Sequence, residues 1–320
     1  MRINHALSVV LATLSFIATE TFESVGLERF YVHKARSFKK EKGYYDIKHP
    51  NQIALTNFPN SINRFAQMDS VHWILHPQCC TRGLVMHSSD GNSVSDILPL
   101  PKSASLLDFV AVDSTLYLVD SEMDIYQSSF PFDSTTTLRV SLNSPNWKSS
   151  SCCYDRETNR LIFCSSEENP TSRLRSLHFY SISQHRYGKE PLFTFDADAV
   201  VEKLQSQNIL SNQAATINTL LKKANPEIRP NALAIHPKTN DFYLLCSSDR
   251  ILLVFSQFGD ILAVSYLDEC DYSNPTDLRF NERGDLILIN QGKKNPSLLC
   301  LPWNKLWQYQ ASNQRLNVFN

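Results

Sequence analysis

The chain has 320 residues, enough for one large domain or two ordinary ones. Its 42% hydrophobic and 20% charged residues are typical of a globular protein and exclude a wholly disordered or fibrous chain. The formal net charge is -1, so there is no global field to attract nucleic acid or anionic lipid, and we expect no nucleic-acid partner. Glycine is scarce, at 8 residues, and the sequence contains neither GxGxxG, GxxxxGK[ST], HExxH, GxSxG nor CxxC.

The N-terminal residues have the layout of a secretory signal peptide. One arginine lies within residues 1–5, residues 6–18 are almost all apolar or small, and polar residues follow. A helix of 13 residues is too short to span a bilayer, which needs about 20. We predict a signal peptide over residues 1–19, export to the periplasm or cell surface, and no transmembrane helix; a packed N-terminal helix is the alternative.

Residues 20–43 follow the apolar segment and contain the basic run HKARSFKKEK. We interpret this segment as a solvated linker, with contact to a membrane surface or a polyanion as the alternative. The remaining residues, 44–320, are predicted to form the folded domain.

Short apolar runs separated by turns fill this domain and indicate strands. DRETNRLIFCSS (155–166) and HPKTNDFYLLCSS (236–248) are an internal repeat, each with a Thr-Asn turn, a large apolar run and Cys-Ser-Ser. Two related segments share the layout, and the first strands of the four end 42, 81 and 45 residues apart. Periods of 40 to 45 residues with several strands each are typical of β-propeller blades.

We therefore predict an all-β fold, a five-bladed β-propeller with a helical insertion over residues 197–225. The insertion follows from apolar residues spaced three to four apart, and six blades are the alternative. The fifth blade lacks a fourth strand, whereas residues 44–59 offer an unpaired one. We expect this N-terminal strand to complete the last blade and to remove the open sheet edge.

The eight cysteines have two interpretations. An even number in an exported protein favours disulfides. Cys164, Cys246 and Cys300, however, end apolar runs, where cysteine packs as a small hydrophobic residue. Adjacent cysteines such as Cys79 and Cys80 point to opposite faces of an extended chain, and zinc-type spacing is absent, so we assign them no metal.

Residues 229–303 resemble the SdiA-regulated family of bacterial exported β-propellers, especially its bacteroidete branch. ALAIHPKTNDFYLLCSS carries most of the resemblance, which extends more weakly through SCCYDRETNRLIFCSS and YYDIKHPNQIALTNFP. The resemblance therefore covers about residues 44–303. It implies a five-bladed ring, a periplasmic or surface location, and no settled enzymatic activity.

The resemblance also implies a ring of glutamates around the central channel, where they could hold Ca²⁺. The corresponding pairs here are Leu107-Asp108, Ser150-Ser151, Asn231-Ala232 and Thr276-Asp277, and Gln291 stands for a further glutamate. The candidate channel positions are thus Asp108, Ser150, Asn231, Thr276, Asp277 and Gln291. Because every expected glutamate is missing and strand alternation turns Asp108 and Asp277 to the opposite face, we expect no Ca²⁺ and no other cofactor.

The other polar residues are more simply interpreted as structural or solvated than as catalytic or metal-binding. His236 precedes a turn proline and is expected to cap that turn or to be solvated. His72, His76 and His87 could approach one another as metal ligands, but nothing in the sequence fixes their convergence. No serine is accompanied by a recognisable base and orienting partner, so we name no catalytic residue.

Two functions remain open. The first is a non-catalytic, monomeric propeller that binds a protein, peptide or glycan at its channel or loop face. The second is a metal-assisted hydrolase of lactonase or phosphoesterase type, which rests on analogy of fold. We favour the first and assign no enzymatic activity; convergence of three or more carboxylates in the channel would favour the second.

Overall fold

Antiparallel strands of two to eight residues make up most of the described residues of the computed structural model. It describes residues 51–54, 62–67, 72–77, 83–88, 94–99, 105–129, 138–165, 173–206, 228–267, 272–291 and 296–301. All of these residues belong to one unit, Lys42–Asn320. The predicted signal peptide and basic linker lie outside the described residues.

The strands form five sheets, which we number as blades in chain order. The first blade contains β2 (Ile62–Gln67), β3 (His72–Pro77), β4 (Gly83–Ser88) and β5 (Val94–Pro99). The second contains β6 (Leu106–Val112), β7 (Thr115–Asp120), β8 (Ile125–Ser129) and β9 (Leu138–Arg139). The third contains β10 (Ser149–Asp155), β11 (Arg160–Ser165), β12 (Leu174–Ser181), β13 (Arg186–Tyr187) and β14 (Phe193–Asp196). The fourth contains β15 (Ala232–Ile235), β16 (Phe242–Cys246), β17 (Ile251–Phe255) and β18 (Ile261–Tyr266). The fifth contains β19 (Pro275–Phe280), β20 (Leu286–Gln291), β21 (Pro296–Leu301) and β1 (Asn51–Ala54).

The first strands of the blades are the inner strands of a closed ring. β2 contacts β6, β6 contacts β10, β10 contacts β15, β15 contacts β19, and β19 contacts β2. The predicted five-bladed propeller is therefore confirmed, because the fifth blade contacts the first and leaves no place for a sixth.

The predicted closing strand is also confirmed. β1 pairs antiparallel with β21, from Asn51 opposite Cys300 to Ala54 opposite Ser297. The last blade thus obtains its fourth strand from the N-terminal side of the first blade, which covers an edge that would otherwise be open.

Hydrophobic clusters fill each of the five interfaces between neighbouring blades. A single strand contributes to two of these clusters, because its successive side chains point to opposite faces of the blade. In β11, Leu161 and Phe163 face the second blade, whereas Ile162 and Cys164 face the fourth. Both faces of a blade are buried, and this explains why its strands read as continuous apolar runs instead of alternating ones.

Asparagine provides the left-handed backbone in both Thr-Asn turns. Asn159 and Asn240 have φ of 52° and 57°, and Gly284 takes the same place in the fifth blade with φ of 90°. Asparagine tolerates this conformation better than most residues that carry a Cβ. The fold therefore forms its hairpins with little glycine.

The predicted insertion begins as the helix α1 (Ala197–Ser206), and residues 207–225 lie outside the described residues. Ala197 and Val200 are buried in the cluster between the third and fourth blades, next to Ile228. The first turn of the helix is therefore part of the core. None of the described residues forms a helix long and apolar enough to cross a bilayer.

Candidate functional site

Five of the six candidate channel positions lie at the start of an inner strand, and Gln291 lies at the end of β20. Four inner strands carry a β-bulge at their start. In the second, third and fifth blades the bulge lies at the first residue of the pair named in the sequence analysis: between Leu106 and Asp108, Ser149 and Ser151, and Pro275 and Asp277. In the first blade it lies between Ile62 and Arg64. A bulge adds a residue to one strand and re-aims the neighbouring side chains.

Arg64, which the sequence analysis did not identify, joins these positions. Its guanidinium donates hydrogen bonds to four main-chain carbonyl oxygens: those of Asn63 (3.3 Å), Ser150 (2.7 Å), Asn231 (3.1 Å) and Thr276 (3.2 Å). Its Nε lies 3.7 Å from the carboxylate of Asp108 in the second blade. A single side chain therefore contacts all five blades, and three of the predicted positions present their carbonyl oxygens to it.

Side chains at four of these positions link the third, fourth, fifth and first blades. Ser150 Oγ donates to the Pro230 carbonyl at 2.6 Å, and Asn231 Nδ2 donates to the Thr276 carbonyl at 3.2 Å. Thr276 Oγ1 donates to the Ile62 carbonyl at 3.4 Å, which also accepts a hydrogen bond from Gln291 Nε2. These bonds run from the third blade through the fourth and fifth to the first, and they hold the carbonyl groups around Arg64.

Asp108 is the acceptor at the centre of the site. Its Oδ1 accepts from Arg279 at 2.8 Å and from the Phe109 N–H at 2.8 Å, and its Oδ2 accepts from the Cys152 N–H at 2.7 Å. The side chain is completely buried. A bulge between Leu106 and Asp108 interrupts the strand alternation that the sequence analysis assumed, and the carboxylate meets Arg279 from the fifth blade.

Asp277 has the matching arrangement at the closure of the ring. Its Oδ2 accepts from the Phe65 N–H of the first blade at 3.1 Å, and its Oδ1 lies 3.2 Å from the Arg279 guanidinium. A bulge between Pro275 and Asp277 interrupts the alternation assumed for this residue as well. Burial raises the pKa of Asp277 to about 6, although Arg279 acts in the opposite direction.

Arg279 completes a cluster of two arginines and two aspartates, Arg64, Arg279, Asp108 and Asp277, which we call the channel ion cluster. Arg279 also donates to the Leu233 carbonyl of the fourth blade at 3.0 Å. Burial lowers the pKa of Arg279, but Asp108 and Asp277 more than offset this and raise it above its ordinary value. At neutral pH the formal charges of the cluster cancel, so both carboxylates already have cationic partners within the chain.

Sequence reasoning missed both arginines. The only available signal was an arginine next to large apolar residues in an inner strand, in INRFAQ and PTDLRF. Buried arginine is rare unless it is paired, so each was a sign of a buried acidic partner. The six candidate positions nevertheless all lie in or next to this cluster. Their role in binding a ligand remains a prediction.

His236 caps the Pro237–Asn240 turn. Its Nδ1 accepts hydrogen bonds from the N–H groups of Lys238 (3.3 Å) and Thr239 (3.1 Å), and its ring contacts Phe280 edge-on. The residue is fully buried. Burial lowers its pKa to about 4, although a hydrogen bond with the Gly284 backbone raises it. The neutral ring therefore has a structural role, as one of the two sequence interpretations predicted.

The other histidine candidates can be placed by their backbone positions. His72 and His76 are four residues apart on β3, or about 13 Å at the rise of an extended strand. His87 lies on β4 opposite Trp73. Among the described residues, no group of three or more His, Cys, Asp or Glu side chains could hold a metal ion.

The five described cysteines are all free thiols: Cys152, Cys153, Cys164, Cys246 and Cys300. Cys152 and Cys153 face different blade interfaces, as adjacent residues of a strand should. Burial raises the pKa of Cys164 to about 12 and that of Cys246 well above its ordinary value. These thiols are core residues. Cys79, Cys80 and Cys270 lie outside the described residues.

No family model and no curated protein matches the chain. Several solved structures are similar to it. A nidogen/laminin complex is 9% identical over 72% of this chain and 73% of that chain, with a TM-score of 0.43. A protein of unknown function from Bacteroides thetaiotaomicron VPI-5482 is 10% identical over 77% of this chain and 56% of that one, with a TM-score of 0.45. The WD40 repeats of RRP9 are 10% identical over 75% of this chain and 67% of that one, with a TM-score of 0.41.

Proposed function

We propose that this protein is an exported, non-catalytic β-propeller of the SdiA-regulated type that binds a protein, peptide or glycan partner through its loops and outer strands. One observation carries the proposal: the guanidinium of Arg64 contacts residues of all five blades where their inner strands meet. A hydrolytic metal needs several oxygen ligands that are not already occupied. Here Asp108 and Asp277 pair with arginine and with backbone N–H groups.

The outer part of the second blade offers a surface for such a partner. Leu138 and Leu142 are 66% and 76% exposed, and they flank Arg139, whose guanidinium is half-exposed and pairs with Asp124 at 2.6 Å. The Leu142 N–H donates to the His185 carbonyl of the third blade, so this segment is held in place. Contiguous exposed apolar patches rimmed by polar residues are typical of interaction sites.

Site-specific photo-crosslinking in the cells that produce the protein tests the proposal. A photoreactive residue replaces Leu142 in the full chain, and the matched control carries it at Glu190, an exposed position of the third blade. We expect a discrete crosslinked species from position 142, and its loss when Leu138 is changed to serine. Equal crosslinking from both positions would contradict this surface.

The hydrolase alternative is tested separately. The purified chain is assayed on lactones and phosphoesters with Ca²⁺, Mg²⁺ or Zn²⁺. We expect the Asp108→Asn and wild-type chains to give the same background rate. A metal-dependent rate that the substitution abolishes would replace the binding proposal with the hydrolase.

A further inference from the structure

Four carbonyl oxygens converge on the Arg64 guanidinium, and we call them the carbonyl ring: those of Asn63, Ser150, Asn231 and Thr276. They come from the first, third, fourth and fifth blades. Main-chain oxygens of four blades therefore surround one cation, and the nearest carboxylate, on Asp108, lies 3.7 Å from Nε.

The carbonyl ring is held in place by contacts that do not involve Arg64. Asn231 Nδ2 donates to the Thr276 carbonyl, and its Oδ1 accepts from the Ser247 N–H at 2.8 Å. Ser150 Oγ fixes the start of the third blade on the Pro230 carbonyl. The oxygens are thus positioned by the blades themselves, and a ring of oriented acceptors should persist when the arginine side chain is removed.

We infer that the carbonyl ring is a binding site for a guanidinium ion, which Arg64 fills from within the chain. A guanidinium presents its N–H donors in one plane, and the two terminal nitrogens of Arg64 each donate to two of the four oxygens. An ammonium ion has three donors in a tetrahedral arrangement and cannot satisfy four acceptors in this way. The inference is independent of the partner-binding proposal.

The site also depends on ring closure. Asn63 belongs to the first blade and Thr276 to the fifth, so their oxygens come together only when the last blade contacts the first. A cation bound there stabilises the closed ring and not the open one. This predicts that occupancy of the carbonyl ring and stability of the propeller are linked.

Chemical rescue tests the inference. Arg64→Ala in the full chain should lower the melting temperature by roughly 6 °C or more, because buried groups lose their charged partner. Methylguanidinium chloride at millimolar concentration should restore at least half of that loss and should saturate. Sodium chloride and tetramethylammonium chloride at the same concentrations should restore little of it. Arg64→Lys should remain destabilised.

The matched control is Arg139→Ala, which removes an arginine from an exposed ion pair. Methylguanidinium should leave its melting temperature unchanged. If the Arg64→Ala chain does not fold alone, it is refolded from urea with and without methylguanidinium, and a higher yield of folded protein is expected with the ion. No gain in melting temperature or in refolding yield, or an equal gain in the control, would overturn the inference.

Discussion

The guanidinium of Arg279 in the fifth blade lies 2.8 Å from the carboxylate of Asp108 in the second blade, and both side chains are buried. These two blades are not neighbours in the ring, so the ion pair spans the channel. The charges at the centre of the ring are therefore paired with each other within the chain.

Removing one charge of this buried ion pair should therefore destabilise the fold. Asp108→Asn leaves Arg279 buried with only Asp277 beside it and weakens the acceptor of the Cys152 N–H. We expect the free energy of unfolding to fall by about 3 to 5 kcal/mol. Urea denaturation measures it, since guanidinium would interfere with the channel. Glu122→Gln, in an exposed pair with Lys148, is the control and should cost about 1 kcal/mol or less.

Closure by β1 predicts a contrast between two truncations. A chain that begins at Tyr44 retains β1, whereas a chain that begins at Ser61 lacks it and leaves the edge of β21 unpaired. We expect the first to melt close to the full chain and the second to melt at a much lower temperature. Equal melting temperatures, measured by circular dichroism, would show that β1 does not stabilise the ring.

The first turn of α1 should be sensitive to substitution. Val200 is fully buried between the third and fourth blades. Val200→Ala should lower the free energy of unfolding by roughly 2 kcal/mol, because it removes two buried methyl groups and leaves a cavity. Glu202→Ala changes an exposed residue of the same helix and should stay within about 0.5 kcal/mol. Similar losses in urea denaturation would contradict the burial of Val200.

His236 should make the fold sensitive to acid. Its folded pKa of about 4 lies below the ordinary 6.5, so its contribution is present above pH 6.5 and is lost as pH falls through 4. Relative to His236→Asn, wild type should lose about 2 to 3 kcal/mol between pH 7 and pH 4.5.

The raised pKa values of Asp241 and Asp277, both about 6, act in the opposite direction, since their contribution is present below pH 3.8 and is lost as pH rises through 6. Both aspartates are present in the wild-type and the His236→Asn chains, so their contributions cancel when the two chains are compared. Urea denaturation across this pH range measures the difference. His185→Asn, in an exposed turn, should behave like wild type; if it flattened the profile as much as His236→Asn, the buried ring would not be the cause.

Blade architecture could be predicted because it is encoded locally. The Thr-Asn turns ending at Asn159 and Asn240 and the apolar runs that follow them lie within a few residues of each other. The spacing of these segments favoured five blades over six, and the missing fourth strand of the last blade predicted the closing strand.

The side-chain contacts at the centre of the ring could not be predicted in the same way. Arg64 is 86 residues from Ser150 and 212 from Thr276, whose carbonyls it contacts. Bulges re-aim Asp108 and Asp277, and a period-2 pattern carries no trace of a bulge. The resemblance pointed to these positions, but their contacts with Arg64 and Arg279 emerge only from the three-dimensional structure.

Arg64 and Arg279 both lie beside the Asp108 carboxylate, so we expect no strong Ca²⁺ site there, and a Ca²⁺ titration of the melting temperature tests this arrangement most directly. A ligand at 100 times its dissociation constant stabilises a fold by about 2.7 kcal/mol, which is several degrees for a domain of this size. We expect millimolar Ca²⁺ to change the melting temperature by less than about 1 °C. A rise of about 4 °C or more that disappears in Asp108→Asn or Asp277→Asn would show that the channel binds the metal, against the arrangement described.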